Sequence, residues 1–261
     1  DPRHTCRVVV APARCFVPSE IRDGGRRFGL AAHLYALHRR GDQGIGDFTT
    51  LSALAEVTAR AGGSIVGINP LHMLFPDDRE RASPYHPSDR RFLDPLYIDL
   101  DRVPDLEASE AARALLAQNG PRFAALSART SVDYTAVGHL KRAVLRACFG
   151  RFELRAADEP LVAEFDRFVL SGGATLRRFA LFEAIAALHP RVPWHEWPRP
   201  LREPDAPGIA DFADAHAHLV RFALYQQWLA DRQLAAAARH ARERGLALGF
   251  FRDLAVGAAP D

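Results

Sequence analysis

Apolar and polar positions along the chain follow two different periods. Short, nearly continuous apolar runs occupy residues 28–37, 64–69 and 246–251, the pattern of strands buried on both faces. Between the first two runs, Leu51, Leu54, Ala55 and Thr58 recur at helical spacing and make one apolar stripe. Thr49 or Thr50 can cap that helix, and Gly62-Gly63 ends it. Strand, helix, strand with short links is a βαβ unit, so the sheet is expected to be parallel. From residue 103 to about 190 the spacing is helical throughout, over 107–118, 134–149, 160–171 and 174–188. One crossover does not need that much helix, so a helical subdomain inserted between strands is expected. Residues 192–207 are rich in proline, carry Trp194 and Trp197, and read as a packed irregular segment. Residues 211–244 form a long helical stretch, continuous or broken once, that stops at Gly245 as a helix end should.

The front of the chain has a different pattern. Cys6-Arg7-Val8-Val9-Val10-Ala11 is a β-branched run between Pro2 and Pro12, read as one strand at the tail of a preceding β-rich domain. A linker at Asp23-Gly24-Gly25-Arg26-Arg27 follows. The divisions expected are therefore 1–26 for that tail and linker, 27–102 for two strands and a long loop, 103–210 for the helical insertion, and 211–261 for a helix and the third strand. Three parallel strands with helices between them fit the first part of a (β/α)8 barrel or of a doubly wound sheet. The turn after the first strand carries no phosphate fingerprint, which argues against a dinucleotide fold.

Composition narrows the function classes. Almost half of the 261 residues are hydrophobic, enough for a sizeable core. The formal net charge is +2, too small to argue for nucleic acid or a membrane surface as partner. One lysine, Lys141, stands among 34 basic residues, a preference for arginine that reads as coding bias. Cys6, Cys15 and Cys148 are odd in number and lack metal-ligand spacing, so reduced thiols in a cytoplasmic protein are expected. The only methionine is Met73 and the chain starts at Asp1, which reads as part of a longer protein.

Each candidate for chemistry has a plain alternative. Gly41-Asp42-Gln43-Gly44-Ile45-Gly46-Asp47-Phe48 lacks the Lys-Ser/Thr ending of a phosphate loop, and a glycine turn with Asp47 bonding backbone N–H groups at a helix start explains it better. His216 and His218 lie two residues apart on a helix and point to different faces, so no metal site is expected from them or from His240. Ser83-Pro84-Tyr85 follows a buried strand that Pro70 ends. By composition it is a turn, but on the rim of a barrel a tyrosine can stack on the C–H face of a sugar and offer it a hydroxyl. Asp253 and Asp261 follow the third strand, either as site carboxylates at a strand end or as capping and turn groups.

Together these strings resemble the amylomaltases, the 4-α-glucanotransferases or disproportionating enzymes of the α-amylase-like barrel superfamily. The resemblance runs through Leu34-Tyr35-Ala36-Leu37, Gly44-Ile45-Gly46-Asp47-Phe48, Asn69-Pro70-Leu71-His72, Ala82-Ser83-Pro84-Tyr85, Arg91-Phe92-Leu93-Asp94-Pro95-Leu96-Tyr97-Ile98-Asp99, Val132-Asp133-Tyr134 and 252–261. It covers essentially the whole chain from Phe28 on, in order and at similar spacing. It implies an α/β fold, the first strands of a (β/α)8 TIM barrel with a helical insertion. It also implies retaining transfer of α-1,4-glucan segments between maltooligosaccharides without a cofactor or metal, through an Asp nucleophile and a Glu acid/base. Both of those carboxylates fall beyond residue 261 in the family pattern, so the chain alone is expected to be inactive. Ser83, Tyr85 and Asp261 match positions at the glucan cleft, and Asp47 and Asp253 match positions that shape loops. The sequence departs from the family at His38, Arg39, His86, Asp94, Arg252 and Ala255; Asp94 replaces a common asparagine, and His86 stands beside the site. The alternatives are a glucan hydrolase on the same barrel and a non-catalytic glucan-binding module.

Overall fold

A computed structural model describes residues 6, 8–22, 24–204 and 206–259. Strands β1 (Gly29–Ala32), β2 (Ile65–Ile68) and β5 (Gly249–Arg252) form a parallel sheet in the order β1-β2-β5. Helix α2 (Phe48–Arg60) makes the crossover from β1 to β2 and turns Phe48, Leu51, Ala55 and Thr58 inward. These strands are the opening arc of a (β/α)8 barrel. The central strand buries Val66 and Ile68. Within the described residues Leu30 on the outer strand β1 is 45% exposed and Phe251 on the outer strand β5 is 62% exposed.

The first run also yields less strand than its length predicts. Asn69 accepts the Leu34 N–H at 2.7 Å, and residues Leu34–Ala36 wind into a 3-10 turn instead of extending the ladder. The glycine-rich turn then packs directly beneath it. A Cβ on Gly46 would lie 1.9 Å from the Leu34 carbonyl oxygen, and Gly44 has φ +85°, so both positions need glycine. Asp47, and neither threonine, is the cap of α2, and it accepts from the Thr50 N–H at 2.8 Å. At the front of the chain, 8–18 form no strand; Val8, Val9 and Val10 are exposed, and only α1 (Ser19–Arg22) is regular. A β-branched run becomes a strand only where a neighbour offers it a ladder, and none of the described residues does so here.

Between the second and third parallel strands lie α3 (Glu110–Ser127), α4 (Tyr134–Phe152), α5 (Pro160–Leu188), α6 (Pro207–Ala215) and α7 (Ala217–Glu243). Helix α3 runs through Gly120 and Pro121, past where the sequence suggests it stops, because Phe123 and Leu126 on its last turns are buried. Gly173, with φ 55°, kinks α5 where two helices are expected. Tyr225 and Trp228 of α7 pack with Phe152 and Phe165 at ring separations of 5.1 to 5.9 Å. The proline-rich segment holds two 3-10 turns around buried Trp197, whose indole donates to the Val192 carbonyl.

Residues 94–100 are buried yet belong to no sheet. Their backbone groups still need partners; local turns and the Leu71 carbonyl supply some, and side chains from other elements supply others, there and at the adjoining Leu93. Gln227 bonds both backbone groups of Leu93, at 3.0 and 2.7 Å. Lys141 donates to the carbonyls of Leu96 and Ile98, each at 2.7 Å. Gln233 bonds both backbone groups of Asp99, at 2.8 and 2.9 Å. The Asp99 carboxylate in turn accepts from Thr49 at 2.5 Å and from Arg39 at 2.8 Å, and Arg39 also holds Asp47. Burial lowers the pKa of Lys141, and the nearby Asp47, Asp99 and Asp42 oppose that shift.

Next to Lys141, a cavity of about 30 Å³ is lined by Arg79, Arg142 and Glu183. Glu183 is half-buried as a residue, but desolvation of its carboxyl, reinforced by Asp77, pushes its pKa up to about 8, against the pull of Arg142 and Arg79.

Two stability measurements follow. Lys141→Met should cost about 3 kcal/mol in urea denaturation, since it leaves two buried carbonyls without donors. For Glu183 the folded state keeps a proton that the unfolded chain releases above its ordinary value of 4.5. Stability from this group should therefore fall as pH rises from about 4.5 toward 8. Glu183→Gln should flatten that slope in urea midpoints taken across the range, and an unchanged slope would show that other groups cause it.

Candidate functional site

The Ser83-Pro84-Tyr85 loop is more ordered than a plain polar loop. It joins β3 (His72–Met73) to β4 (Asp89–Leu93), an antiparallel pair with an irregularity after His72. Asp94 fixes the base of this hairpin, accepting from the N–H groups of Leu74 and Leu96 and from Arg79 at 2.6 Å. The aspartate that departs from the family's asparagine thus has a buried guanidinium as its partner. At the tip, the His86 N–H bonds the Ser83 carbonyl to close a turn. Ser83 is exposed with its hydroxyl 3.4 Å from His86 Nδ1, and Tyr85 is 47% exposed.

The segment after β5 lies along this hairpin. The Asp253 N–H extends the parallel ladder to the Ile68 carbonyl at 3.0 Å, and the Ala259 N–H reaches the Pro87 carbonyl at 2.8 Å. The Ala255 N–H donates to His72 Nε2 at 3.1 Å, and Arg90 donates to the Val256 carbonyl at 2.7 Å. The result places Asp253 against Tyr85. Desolvation raises the Tyr85 pKa, and the hydrogen bond and negative charge of Asp253 raise it further. Tyr35, at the end of β1, is a third neighbour; it stacks on His33 at 5.1 Å and contacts Tyr134 at 6.2 Å. Burial pushes the Tyr134 pKa up to about 12.

The C-terminal edge of the sheet therefore gathers Tyr85, Asp253, Tyr35 and His33 from loops behind all three parallel strands. An exposed aromatic face, a phenol and a carboxylate can together recognise a sugar by stacking and by hydrogen bonds to its hydroxyls. Of the residues singled out by sequence, Ser83 stands at the tip of the same loop as Tyr85, and Asp261 lies outside the described residues. Asp47 is taken up by the cap of α2 and by Arg39. Asp253, matched to a loop-shaping position, accepts the Leu254 N–H at 2.8 Å and also lies near Tyr85. Tyr35 and His72 lie in strings that carry the resemblance without a site role assigned to either, and His33 and Arg90 lie in none. The signal for Tyr35 and His33 was their place at the end of a strand. His216 packs on Phe212, whereas His240 faces Glu56. Among the described residues no group of three His, Cys, Asp or Glu side chains could hold a metal ion.

This arrangement can be set beside known proteins. The profile of the 4-alpha-glucanotransferase family, glycoside hydrolase family 77, matches residues 32–261. A 4-alpha-glucanotransferase of Mycobacterium tuberculosis is 36% identical over 269 residues, covering 100% of this chain and 36% of the relative. One from Haemophilus influenzae is 28% identical, covering 98% of this chain and 38% of the relative. The chain thus spans little more than a third of the length of these curated relatives. Among solved structures, amylomaltase from Corynebacterium glutamicum superposes with a TM-score of 0.73 at 31% identity, over 89% of this chain and 30% of that one. Amylomaltase from Streptococcus agalactiae in complex with acarbose superposes with a TM-score of 0.70 at 20% identity, over 90% of this chain and 44% of that one, a likeness of fold. By the match over 32–261 and by the barrel strands it contains, the chain belongs to the 4-alpha-glucanotransferase family.

Proposed function

We propose that this chain is the first part of a 4-α-glucanotransferase that moves α-1,4-glucan segments between maltooligosaccharides by a retaining double displacement. The observation that carries this reading is the family match over residues 32–261, supported by exposed Tyr85 with Asp253 near it at the C-terminal edge of the sheet. In a retaining reaction one carboxylate attacks the anomeric carbon and a second carboxylic acid protonates the departing sugar oxygen. In the family pattern both lie on later strands. The residues here bind. Tyr85 stacks on a sugar ring, Ser83 and the Tyr85 hydroxyl contact its hydroxyls, and Asp253 accepts from a hydroxyl or from Tyr85 itself. Asp261 is assigned to the same cleft. A sugar held on this rim also shields the glycosyl-enzyme from water, which favours a glucan hydroxyl as acceptor.

The same reading divides the chain at 1–26, 27–102, 103–210 and 211–261. It places the protein in the cytoplasm, in glycogen or maltodextrin metabolism, with no cofactor and with neither nucleic acid nor membrane as partner. Among the described residues no helix is long and apolar enough to cross a membrane.

The full-length gene product given maltotriose should yield glucose together with oligomers longer than the substrate, read by chromatography. Products that are only shorter would make it a hydrolase. Binding without turnover would make it a glucan-binding module. Tyr85→Ala should lower kcat/KM by about tenfold to a hundredfold, the loss of one stacked ring and its hydroxyl, or ~1.4 to 3 kcal/mol. Residues 1–261 alone should release no product from maltotriose over the same period.

A further inference from the structure

The segment after β5 is held on the hairpin by two side chains that no part of the glucan chemistry uses, His72 and Arg90. Their bonds differ in kind. Arg90 carries a fixed charge and donates to the carbonyls of Val256 and Ala255, at 2.7 and 3.4 Å. His72 receives the Ala255 N–H on Nε2 at 3.1 Å. A backbone N–H can only donate, so Nε2 must present its lone pair, and the proton of the neutral ring sits on Nδ1. Ala255 is fully buried, which removes water as an alternative partner for its N–H and makes the loss of this bond costly. Two residues before Ala255 stands Asp253, the carboxylate against Tyr85.

We propose that His72 is a positioning residue for glucan binding: by accepting the Ala255 N–H it holds residues 253–256 on the β3–β4 hairpin and so keeps Asp253 against Tyr85. The assignment rests on the glucan-cleft reading of Tyr85 and Asp253. It makes the geometry of the cleft sensitive to acid. Protonating Nε2 would set an N–H against the Ala255 N–H, and the bond would be lost. Desolvation depresses the His72 pKa from its ordinary 6.5, with Arg90 and Arg252 adding to the depression and Asp89 and Asp253 opposing it. Asp89 is itself paired with Arg91. These four charged groups come from β4, β5 and the turn after β5, the elements packed around the ring. The ring is therefore neutral in the bound geometry. As pH falls below about 6.5 the released segment, whose free imidazole takes up a proton, gains on the held one until the pH reaches the depressed pKa.

The test uses the full-length gene product and two substitutions. His72→Phe keeps an aromatic ring but offers no acceptor; His72→Gln offers a carbonyl oxygen that does not titrate. At pH 7.5 His72→Phe should raise KM for maltotriose about tenfold while kcat changes less than threefold, and His72→Gln should restore KM most of the way. Between pH 7.5 and 5, wild-type KM should rise and that of His72→Gln should stay flat. A wild-type acid limb that persists in His72→Gln overturns the proposal, as does an unchanged KM in a folded His72→Phe. Hydrogen exchange at the Ala255 amide gives a reading independent of activity. It should be at least tenfold faster in His72→Phe than in wild type and close to wild type in His72→Gln; equal exchange in all three rejects the proposal. Should His72→Phe fail to fold, the pH profile and the exchange rate of His72→Gln decide. If the wild type makes no transfer products, the function reading fails, and the exchange comparison still tests whether His72 holds the segment.

Discussion

A stretch of buried backbone outside any sheet is the constraint on which the rest of the fold depends. Residues 94–100 lie inside the protein, where every N–H and C=O must find a partner, and the backbone partners there are local turns and, for the Asp94 N–H, the Leu71 carbonyl. Gln233 of α7 and Lys141 of α4 supply partners to Leu96, Ile98 and Asp99, and Gln227 of α7 holds Leu93 just before them. Those bonds fix where the long helices sit relative to the sheet more specifically than apolar packing alone, because a shifted helix would leave several buried polar groups without partners at once. The single lysine is thus explained by geometry: its three donors on a flexible stem reach two carbonyls at the same time.

From that stretch the order passes outward to the sheet edge. Asp99 links it through Arg39 and Thr49 to the start of α2, and so to the turn behind β1. Asp94 links it through Arg79 to the hairpin that carries Tyr85. The hairpin then holds the segment after β5 through His72, Arg90 and Pro87. The loops behind three different strands are consequently tied to one another, and the exposed tyrosine at their meeting point stands on a supported frame. A binding rim made of loops needs such support, since loop backbone by itself is mobile.

Much of this was legible in the sequence. The helical stripes of α2, α4 and α7, the glycines that end α2 and α7, and the parallel βαβ unit all follow from local periodicity and termination signals. Tyr85 was legible as a candidate because its loop follows a strand cut short by Pro70. Other features were not. The first apolar run looks like one long strand, but Asn69 diverts it at Leu34. The valine run near the start has strand propensity and finds no partner among the described residues. Asp253 reads as a loop-shaping residue and holds the Leu254 N–H, but its nearness to Tyr85 comes from the fold, and nothing around His72 in the sequence suggests a partner 183 residues later.

The sequence by itself determined the main helices, the parallel βαβ unit, their order and the family, because hydrophobic period, caps and breakers act over a few residues and are written where they act. Tertiary structure alone decided which side chains meet. Hydrogen bonds such as those of Lys141 with Ile98 or His72 with Ala255 join positions far apart in the chain, and their short range leaves no periodic trace in the sequence. Whether a given carboxylate caps a helix, pairs with an arginine or faces a substrate cleft therefore depends on the neighbours that folding brings to it.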